Sequence, residues 1–123
     1  NLVYGNNNSK SDEEISEMIR KFNLFEDKVE VDLDMNVNNK SLSSGQMQKI
    51  AFIRVLLSDA DVLFLDESTS NLDEESKGLI FNLILNSNLT IINSTHDIDS
   101  FKNYTNHYKI ELSRGERLLK KIV

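Results

Sequence analysis

Apolar residues recur at helical spacing in two parts of the chain. Ser11 and Glu14 are spaced as in a capping box, and apolar residues then follow every three or four positions as far as Phe22. This pattern predicts an amphipathic helix that ends near Asn23. A second helix is predicted for residues 45–57, with one apolar face formed by Ile50, Ile53 and Leu57.

Two apolar runs have a different pattern, which is typical of strands. Residues 61–66 and 89–93 are nearly continuous in apolar side chains, so we expect parallel strands buried on both faces. The stretch between them predicts a helix over residues 74–85, which completes a βαβ unit. Residues 97–101 predict a helical turn. Two further strands, residues 107–112 and 117–123, flank a predicted hairpin turn with Gly115 at a position that needs positive φ.

Composition narrows the functional classes. The chain has 123 residues and a formal net charge of −6, which disfavours a nucleic-acid-binding surface. It contains no cysteine, so disulfides and thiolate metal sites are excluded, and a reducing compartment is favoured. No apolar run approaches the roughly 20 residues that span a bilayer. We therefore expect a single modest α/β domain whose membrane role, if any, depends on another segment or subunit.

Polar side chains follow both predicted parallel strands. Asp66 and Glu67 come directly after the first strand, and His96 follows the second. Ligands of wound α/β sheets bind at the carboxyl ends of the strands, so we expect these three residues to converge there and to hold a metal ion or a water molecule. The alternative is structural: the two carboxylates cap the next turn, and His96 fills a structural role. His107 lies in a predicted strand and is interpreted as structural.

Two turns that precede predicted helices each allow a structural and a functional interpretation. The turn at Ser43, Ser44 and Gly45 leads into a helix, where free N–H groups attract phosphate, but a plain serine N-cap is commoner. Asp73 is either the N-cap of the next helix or part of a subunit contact near a nucleotide. The chain contains no phosphate loop of the G-x-x-x-x-G-K-[ST] type.

The order of these motifs resembles that of ATP-binding cassette (ABC) ATPase domains. Leu42–Gln46 resembles the signature motif, Val62–Glu67 the Walker B strand, Ser70–Asp73 the D-loop, and His96 the switch histidine. The resemblance implies the C-terminal half of a P-loop NTPase. Residues 1–57 would be part of the helical subdomain, and residues 58–123 a mostly parallel RecA-like sheet with helices and a C-terminal β-hairpin. The half with the Walker A loop lies outside this chain.

The chain departs from the family pattern at a few positions. Ser44 stands where the signature usually has a glycine, a change that reduces backbone freedom and adds a donor. The opening NLVYG and a residue other than proline at Ser68 are typical of exporters. The acidic loop that usually precedes an exporter signature has no clean equivalent in residues 35–39.

The resemblance implies Mg²⁺-dependent ATP hydrolysis in a head-to-tail dimer of two such domains. Asp66 would hold Mg²⁺, Glu67 would be the general base, and His96 would contact the γ-phosphate. The nucleotide held by the partner would contact the signature residues, which are Ser43, Ser44, Gly45 and Gln46. The D-loop would couple the two sites, and its residues are Ser70, Asn71, Leu72 and Asp73.

Three functional classes stay open at this point. The first is the ATPase subunit of an ABC transporter, docked to a transmembrane domain on the cytoplasmic side of a membrane. The second is a chromosome-maintenance or DNA-repair ATPase, which would carry a long coiled coil before its signature. The third is a half-cassette that binds without catalysis. We expect the chain to be a piece of a longer protein and, without a phosphate loop, to hydrolyse no ATP by itself.

Overall fold

The computed structural model describes residues 2, 10–25, 32–37, 40–99 and 103–123. No helix within these ranges is both long and apolar enough to cross a membrane. The stretch between the first two predicted helices lies partly outside these ranges. The elements in chain order are α1 (Asp12–Lys21), α2 (Ser44–Leu56), β1 (Val62–Asp66), α3 (Glu74–Leu85), β2 (Thr90–Ser94), β3 (Tyr108–Ser113) and β4 (Glu116–Lys121).

The first predicted helix is confirmed. The Ser11 hydroxyl accepts the Glu14 N–H, and the Glu14 carboxylate accepts the Ser11 N–H, so the capping box forms as expected. The helix ends at Lys21, slightly earlier than predicted. Asn23 then takes a φ of 43°, a left-handed conformation that asparagine tolerates better than most residues. This turn returns the chain toward the core, where Leu24 is buried.

The βαβ unit is also confirmed. Strands β1 and β2 pair in parallel, from Val62 opposite Thr90 to Asp66 opposite Ser94. Helix α3 connects them over the predicted range of residues. Both strands therefore end at the same edge of the sheet, which places the residues that follow them side by side.

Among the described residues, the sheet is buried on one face, not two. Leu65 is only 6% exposed, whereas its neighbour Phe64 is 73% exposed, and burial alternates along β1. The prediction of two buried faces is therefore wrong for the described part of the chain. The apolar run shows that both faces suit burial, but no described residue covers the face of Phe64 and Ile92.

The three helices and the buried face of β1 form one core. Ile53, Ile80 and Ile84 have no exposed surface, and they join α2 and α3 to the sheet. The other buried apolar residues are Ile15, Ile19, Phe22, Leu24, Phe52, Leu57, Leu63, Leu65 and Leu72. Because Leu72 belongs to this core, the loop after β1 is anchored to it.

The C-terminal hairpin forms around the predicted turn. Arg114 and Gly115 have φ values of 51° and 83°, as a two-residue type I′ turn requires, so the expectation for Gly115 is confirmed. His107 lies just before β3, and its ring meets Tyr104 edge-on with ring centroids 5.1 Å apart. Of the predicted helical turn after β2, residues 97–99 are not helical, and the remainder lies outside the described residues.

Candidate nucleotide site

The carboxyl ends of β1 and β2 bring the predicted acidic pair and histidine together. Asp66 is the last residue of β1 and lies opposite Ser94, the last residue of β2. The Glu67 N–H donates to the Ser94 carbonyl at 3.0 Å, which extends the ladder by one bond. His96 follows two residues after Ser94. The convergence predicted for Glu67 and His96 is therefore confirmed.

Glu67 and His96 are joined by two contacts. One carboxylate oxygen, Oε1, accepts the main-chain N–H of His96 at 3.0 Å. The other, Oε2, lies 2.8 Å from the ring Nδ1 of His96. The two side chains are 43% and 85% exposed, so both are open to a ligand. The carboxylate is oriented by these bonds while each of its oxygens keeps a lone pair for another donor.

Glu67 also has an unusual backbone. Its φ of 47° lies in the left-handed region, which costs most residues with a Cβ roughly 1–2 kcal/mol. Two main-chain bonds hold this conformation: the bond to Ser94, and a 3.4 Å bond from the Ser70 N–H to the Glu67 carbonyl. Such strain is found at functional sites more often than elsewhere. From this conformation the Glu67 side chain bonds to His96.

Thr95 was not singled out from the sequence. Its hydroxyl oxygen Oγ1 accepts the Asp97 N–H at 3.0 Å and closes a small turn around His96. The only sign of this turn in the sequence is a threonine two residues before an aspartate in a polar stretch. That signal is too common to identify the residue without the structure.

The Asp66 carboxylate is exposed, and no described residue bonds to it. The described ranges contain no group of three or more side chains able to hold a metal ion. Mg²⁺ is bound in many nucleotide sites by one or two carboxylates together with waters and phosphate oxygens. A lone, accessible carboxylate at a strand end therefore fits that ion as one ligand of several.

The turn before α2 forms a serine N-cap, as its structural interpretation predicted. The Ser43 hydroxyl accepts the Gln46 N–H at 3.1 Å, and Gln46 Oε1 accepts the Ser43 N–H at 2.9 Å, a second capping box. Gln46 Nε2 also donates to the Leu24 carbonyl at 2.9 Å. The N–H groups of Ser44 and Gly45 have no partner among the described residues. These two donors are available to an anion at the helix N-terminus.

The loop from Ser70 to Asp73 is short and anchored. The Leu72 N–H donates to the Thr69 carbonyl, and the Leu72 side chain lies in the core. Asp73 is the N-cap of α3, as the structural interpretation predicted: its two oxygens accept the Ser76 N–H and the Ser76 hydroxyl, both at 2.8 Å. These hydrogen bonds hold the pKa of Asp73 below its ordinary value.

The two turns touch each other inside one chain. A Cβ added at Gly45 would lie 3.2 Å from the carbonyl oxygen of Asn71. A side chain at this position would require the loop to shift by a few tenths of an ångström, so glycine favours the close approach of α2 to the loop. Nothing in the residue order indicated this contact, because the two residues are far apart in sequence.

Comparisons with known proteins identify the family of the chain. A sequence model of the ABC transporter family matches residues 1–70. The chain is 38% identical over 115 residues to the lipoprotein-releasing system ATP-binding protein LolD of Buchnera aphidicola, covering 89% of this chain and 47% of LolD. It is 39% identical over 87 residues to the energy-coupling factor transporter ATP-binding protein EcfA1 of Staphylococcus epidermidis, covering 68% of this chain and 32% of that protein.

A third relative is a longer protein. The chain is 32% identical over 109 residues to the ATP-dependent lipid A-core flippase of Francisella tularensis, covering 84% of this chain and 18% of the flippase. The chain thus spans half or less of the length of these curated relatives. With the βαβ unit, the paired Glu67 and His96, and the matched residues 1–70, the chain belongs to the ABC transporter family.

Proposed function

We propose that the whole protein is the ATP-binding and ATP-hydrolysing part of an ABC transporter. The observation that carries this proposal is the Glu67 carboxylate held by both His96 contacts at the ends of adjacent parallel strands. The named relatives are the ATP-binding proteins of a lipoprotein-releasing system and of an energy-coupling factor transporter, and an ATP-dependent lipid A-core flippase. These names support transport over the chromosome-maintenance and binding-only alternatives.

Glu67 is the proposed general base. Its carboxylate is oriented by His96 and remains 43% exposed, so a water molecule can reach it. A carboxylate in this position polarises the water that attacks the γ-phosphate and accepts its proton. General-base catalysis of this kind typically contributes about 10²–10⁴-fold to the rate.

His96 is the proposed contact to the γ-phosphate. Its Nδ1 is engaged by Glu67, so Nε2 is the ring atom that remains for a phosphate oxygen. The ring can hold Glu67 through Nδ1 and contact a phosphate oxygen through Nε2, and loss of the γ-phosphate leaves Nε2 without that partner.

Asp66 is the proposed ligand of Mg²⁺, directly or through water. Bound Mg²⁺ would neutralise charge on the phosphate oxygens, which is a large part of what phosphoryl transfer needs. The support is the exposed carboxylate at the end of β1 with no described partner. The nucleotide phosphates and waters would supply the other ligands.

The signature residues Ser43, Ser44, Gly45 and Gln46 are proposed to act on the nucleotide of a second ABC domain in a head-to-tail dimer. The free N–H groups of Ser44 and Gly45 support this role. Gln46 would contribute by holding the turn, because its side-chain oxygen and nitrogen both form hydrogen bonds within the chain. The D-loop residues Ser70, Asn71, Leu72 and Asp73 would lie at the dimer contact.

The remaining proposals concern the assembly. A transmembrane domain would be the partner of the dimer, which would lie on the cytoplasmic side of the membrane. No role in nucleic-acid binding is proposed, since the chain has a net charge of −6. The 123-residue chain by itself would bind Mg-ATP very weakly and hydrolyse none, because it contains no phosphate loop.

The test is Glu67→Gln in the full-length protein. We expect kcat for ATP hydrolysis to fall by at least about 10²-fold, while ATP binding persists and a closed dimer accumulates. Turnover is measured by phosphate release, and the dimer by size-exclusion chromatography with Mg-ATP. Glu116→Gln, at the start of β4, is the matched control and should leave turnover unchanged. Wild-type turnover in Glu67→Gln would contradict the general-base role.

A further inference from the structure

A cluster of three charged residues, Glu74, Lys77 and Asp97, lies at the edge of the sheet that carries Glu67 and His96. Helix α3 begins at Glu74, a short loop after the end of β1, and Asp97 follows closely after the end of β2. In a βαβ unit with parallel strands the helix runs antiparallel to both, so its first turn lies at their carboxyl ends. The topology therefore places the first turn of α3 beside the loop that carries His96.

Lys77 is the cation of this cluster, and most of its side chain is covered. Only 16% of the Lys77 side chain is exposed, whereas 87% of the Glu74 side chain is exposed. The Lys77 Nζ donates to the Glu74 carboxylate at 2.8 Å, and the Lys77 main-chain N–H donates to the Asp73 carbonyl at 2.9 Å. Because the ammonium is already held, little side-chain entropy is lost when it attracts a second carboxylate.

The second carboxylate is that of Asp97. The hydrogen bond to Glu74 is the main reason that the pKa of Lys77 is raised, against the opposing effect of burial, and the negative charges of Glu74 and Asp97 raise it further. An attraction thus joins the first turn of α3 to the loop after β2.

The loop after β2 depends on polar contacts for its position. The Asp97 N–H donates to Thr95 Oγ1 at 3.0 Å, and the His96 N–H donates to Glu67 Oε1 at 3.0 Å. The His96 side chain is 85% exposed, so packing contributes little to holding it. A charge that attracts Asp97 therefore acts on the turn that carries His96.

We propose that Lys77 is a positioning residue for His96, and that it acts by attracting the Asp97 carboxylate at the end of the turn. Lys77 needs no contact with the nucleotide. It holds the turn in place so that the ring and the main-chain N–H of His96 stay against Glu67. The catalytic meaning of this proposal rests on the proposed function, whereas the position of the turn can be measured without ATP.

The first test measures amide hydrogen exchange by NMR at His96 and Asp97 in the full-length protein without nucleotide. Lys77→Met removes the charge and keeps most of the apolar stem of the side chain. We expect both amides to exchange about twofold to fivefold faster, as suits the loss of one ion pair close to solvent. Lys77→Arg should restore the wild-type rates. Unchanged exchange in Lys77→Met would overturn the proposal.

Two controls separate this attraction from the stability of the helices. Lys21→Met removes a similar ion pair in α1, where Lys21 Nζ lies 2.8 Å from the Glu17 carboxylate, and should leave both amides unchanged. Glu74→Gln removes the ion pair within α3 but keeps the Lys77 charge, so it should also leave them unchanged. Acceleration in Glu74→Gln equal to that in Lys77→Met would assign the effect to the helix and overturn the proposal.

If Lys77→Met does not fold, Asp97→Asn tests the same attraction from the other side. Asp97 is exposed, and asparagine has nearly the same shape, so this variant should fold. We expect exchange at His96 to accelerate by the same factor of about two to five. Wild-type exchange at His96 in Asp97→Asn would also overturn the proposal.

The second test is a double-mutant cycle on ATP turnover. Lys77→Met and Asp97→Asn should each lower kcat about twofold to fivefold, and the double variant should be no slower than the slower single variant. The reason is that both changes remove the same attraction. Effects that multiply in the double variant would refute the proposal. An inactive wild-type protein would instead refute the proposed function and leave the exchange measurements valid.

Discussion

Glu67 contacts His96 twice, at the ring Nδ1 at 2.8 Å and at the main-chain N–H at 3.0 Å. The histidine therefore holds the carboxylate partly through its side chain and partly through its backbone. Substitution of His96 removes only the first of these contacts, because the second uses its main chain. The hold on the carboxylate can thus be weakened in steps.

His96→Ala is expected to lower kcat less than Glu67→Gln does. The variant loses the ring contact and any bond from Nε2, while the main-chain N–H of residue 96 still orients Glu67. Loss of one charge-assisted hydrogen bond, worth about 1.5–3 kcal/mol, corresponds to about a 10- to 100-fold fall in kcat. Phosphate release measures it, with His107→Ala as the control. Wild-type kcat in His96→Ala would show that the ring has no part in the reaction.

The strained backbone of Glu67 predicts a difference between two neutral replacements. Asparagine tolerates positive φ several-fold better than glutamine, and Glu67 has a φ of 47°. We expect Glu67→Asn to have a free energy of unfolding up to about 1 kcal/mol higher than that of Glu67→Gln. Urea denaturation of the two full-length variants measures this difference. The strain would be absent in solution if Glu67→Gln proved the more stable of the two.

The two capping boxes provide a matched pair for the signature serine. Ser11 and Ser43 make the same hydrogen bonds at the starts of α1 and α2, so replacing either by alanine should cost about 1 kcal/mol of stability. Only Ser43→Ala should also reduce ATP turnover, because only that turn faces a nucleotide under the proposed function. Thermal unfolding and phosphate release measure the two effects. Equal turnover in both variants would argue against a nucleotide role for Ser43.

Asp73 predicts a pH dependence of stability. Hydrogen bonds from Ser76 lower the pKa of Asp73 in the folded protein below its ordinary value of 3.8. The stabilisation is therefore fully present above that value and is lost as pH falls through the lower, folded-state pKa. The stability difference between wild type and Asp73→Ala should be largest near pH 7 and should shrink in strong acid. Denaturation curves at pH 7 and near pH 3 would test this, and a pH-independent difference would contradict it.

The starts of the helices, the two parallel strands and the hairpin turn could all be predicted from the sequence. Each depends on neighbouring residues: the Ser11 and Glu14 pair closes a capping box within one turn, and Gly115 supplies the positive φ of a two-residue turn. The convergence of Glu67 and His96 was also predictable, because parallel strands end at one edge of a sheet. Local hydrogen bonding and strand direction were sufficient for these features.

Only the tertiary structure decided which atoms meet across the site. Phe64 and Leu65 belong to the same apolar run, yet one is 73% and the other 6% exposed, since burial depends on what packs against each face. The main-chain bond from His96 to Glu67 and the approach of Gly45 to the Asn71 carbonyl join residues more than 25 positions apart. The sequence by itself determined the elements and the order of the motifs, because those follow from short-range periodicity and capping. The packing of α2 against the D-loop, and with it the link between the two turns, depends on contacts that no local pattern encodes.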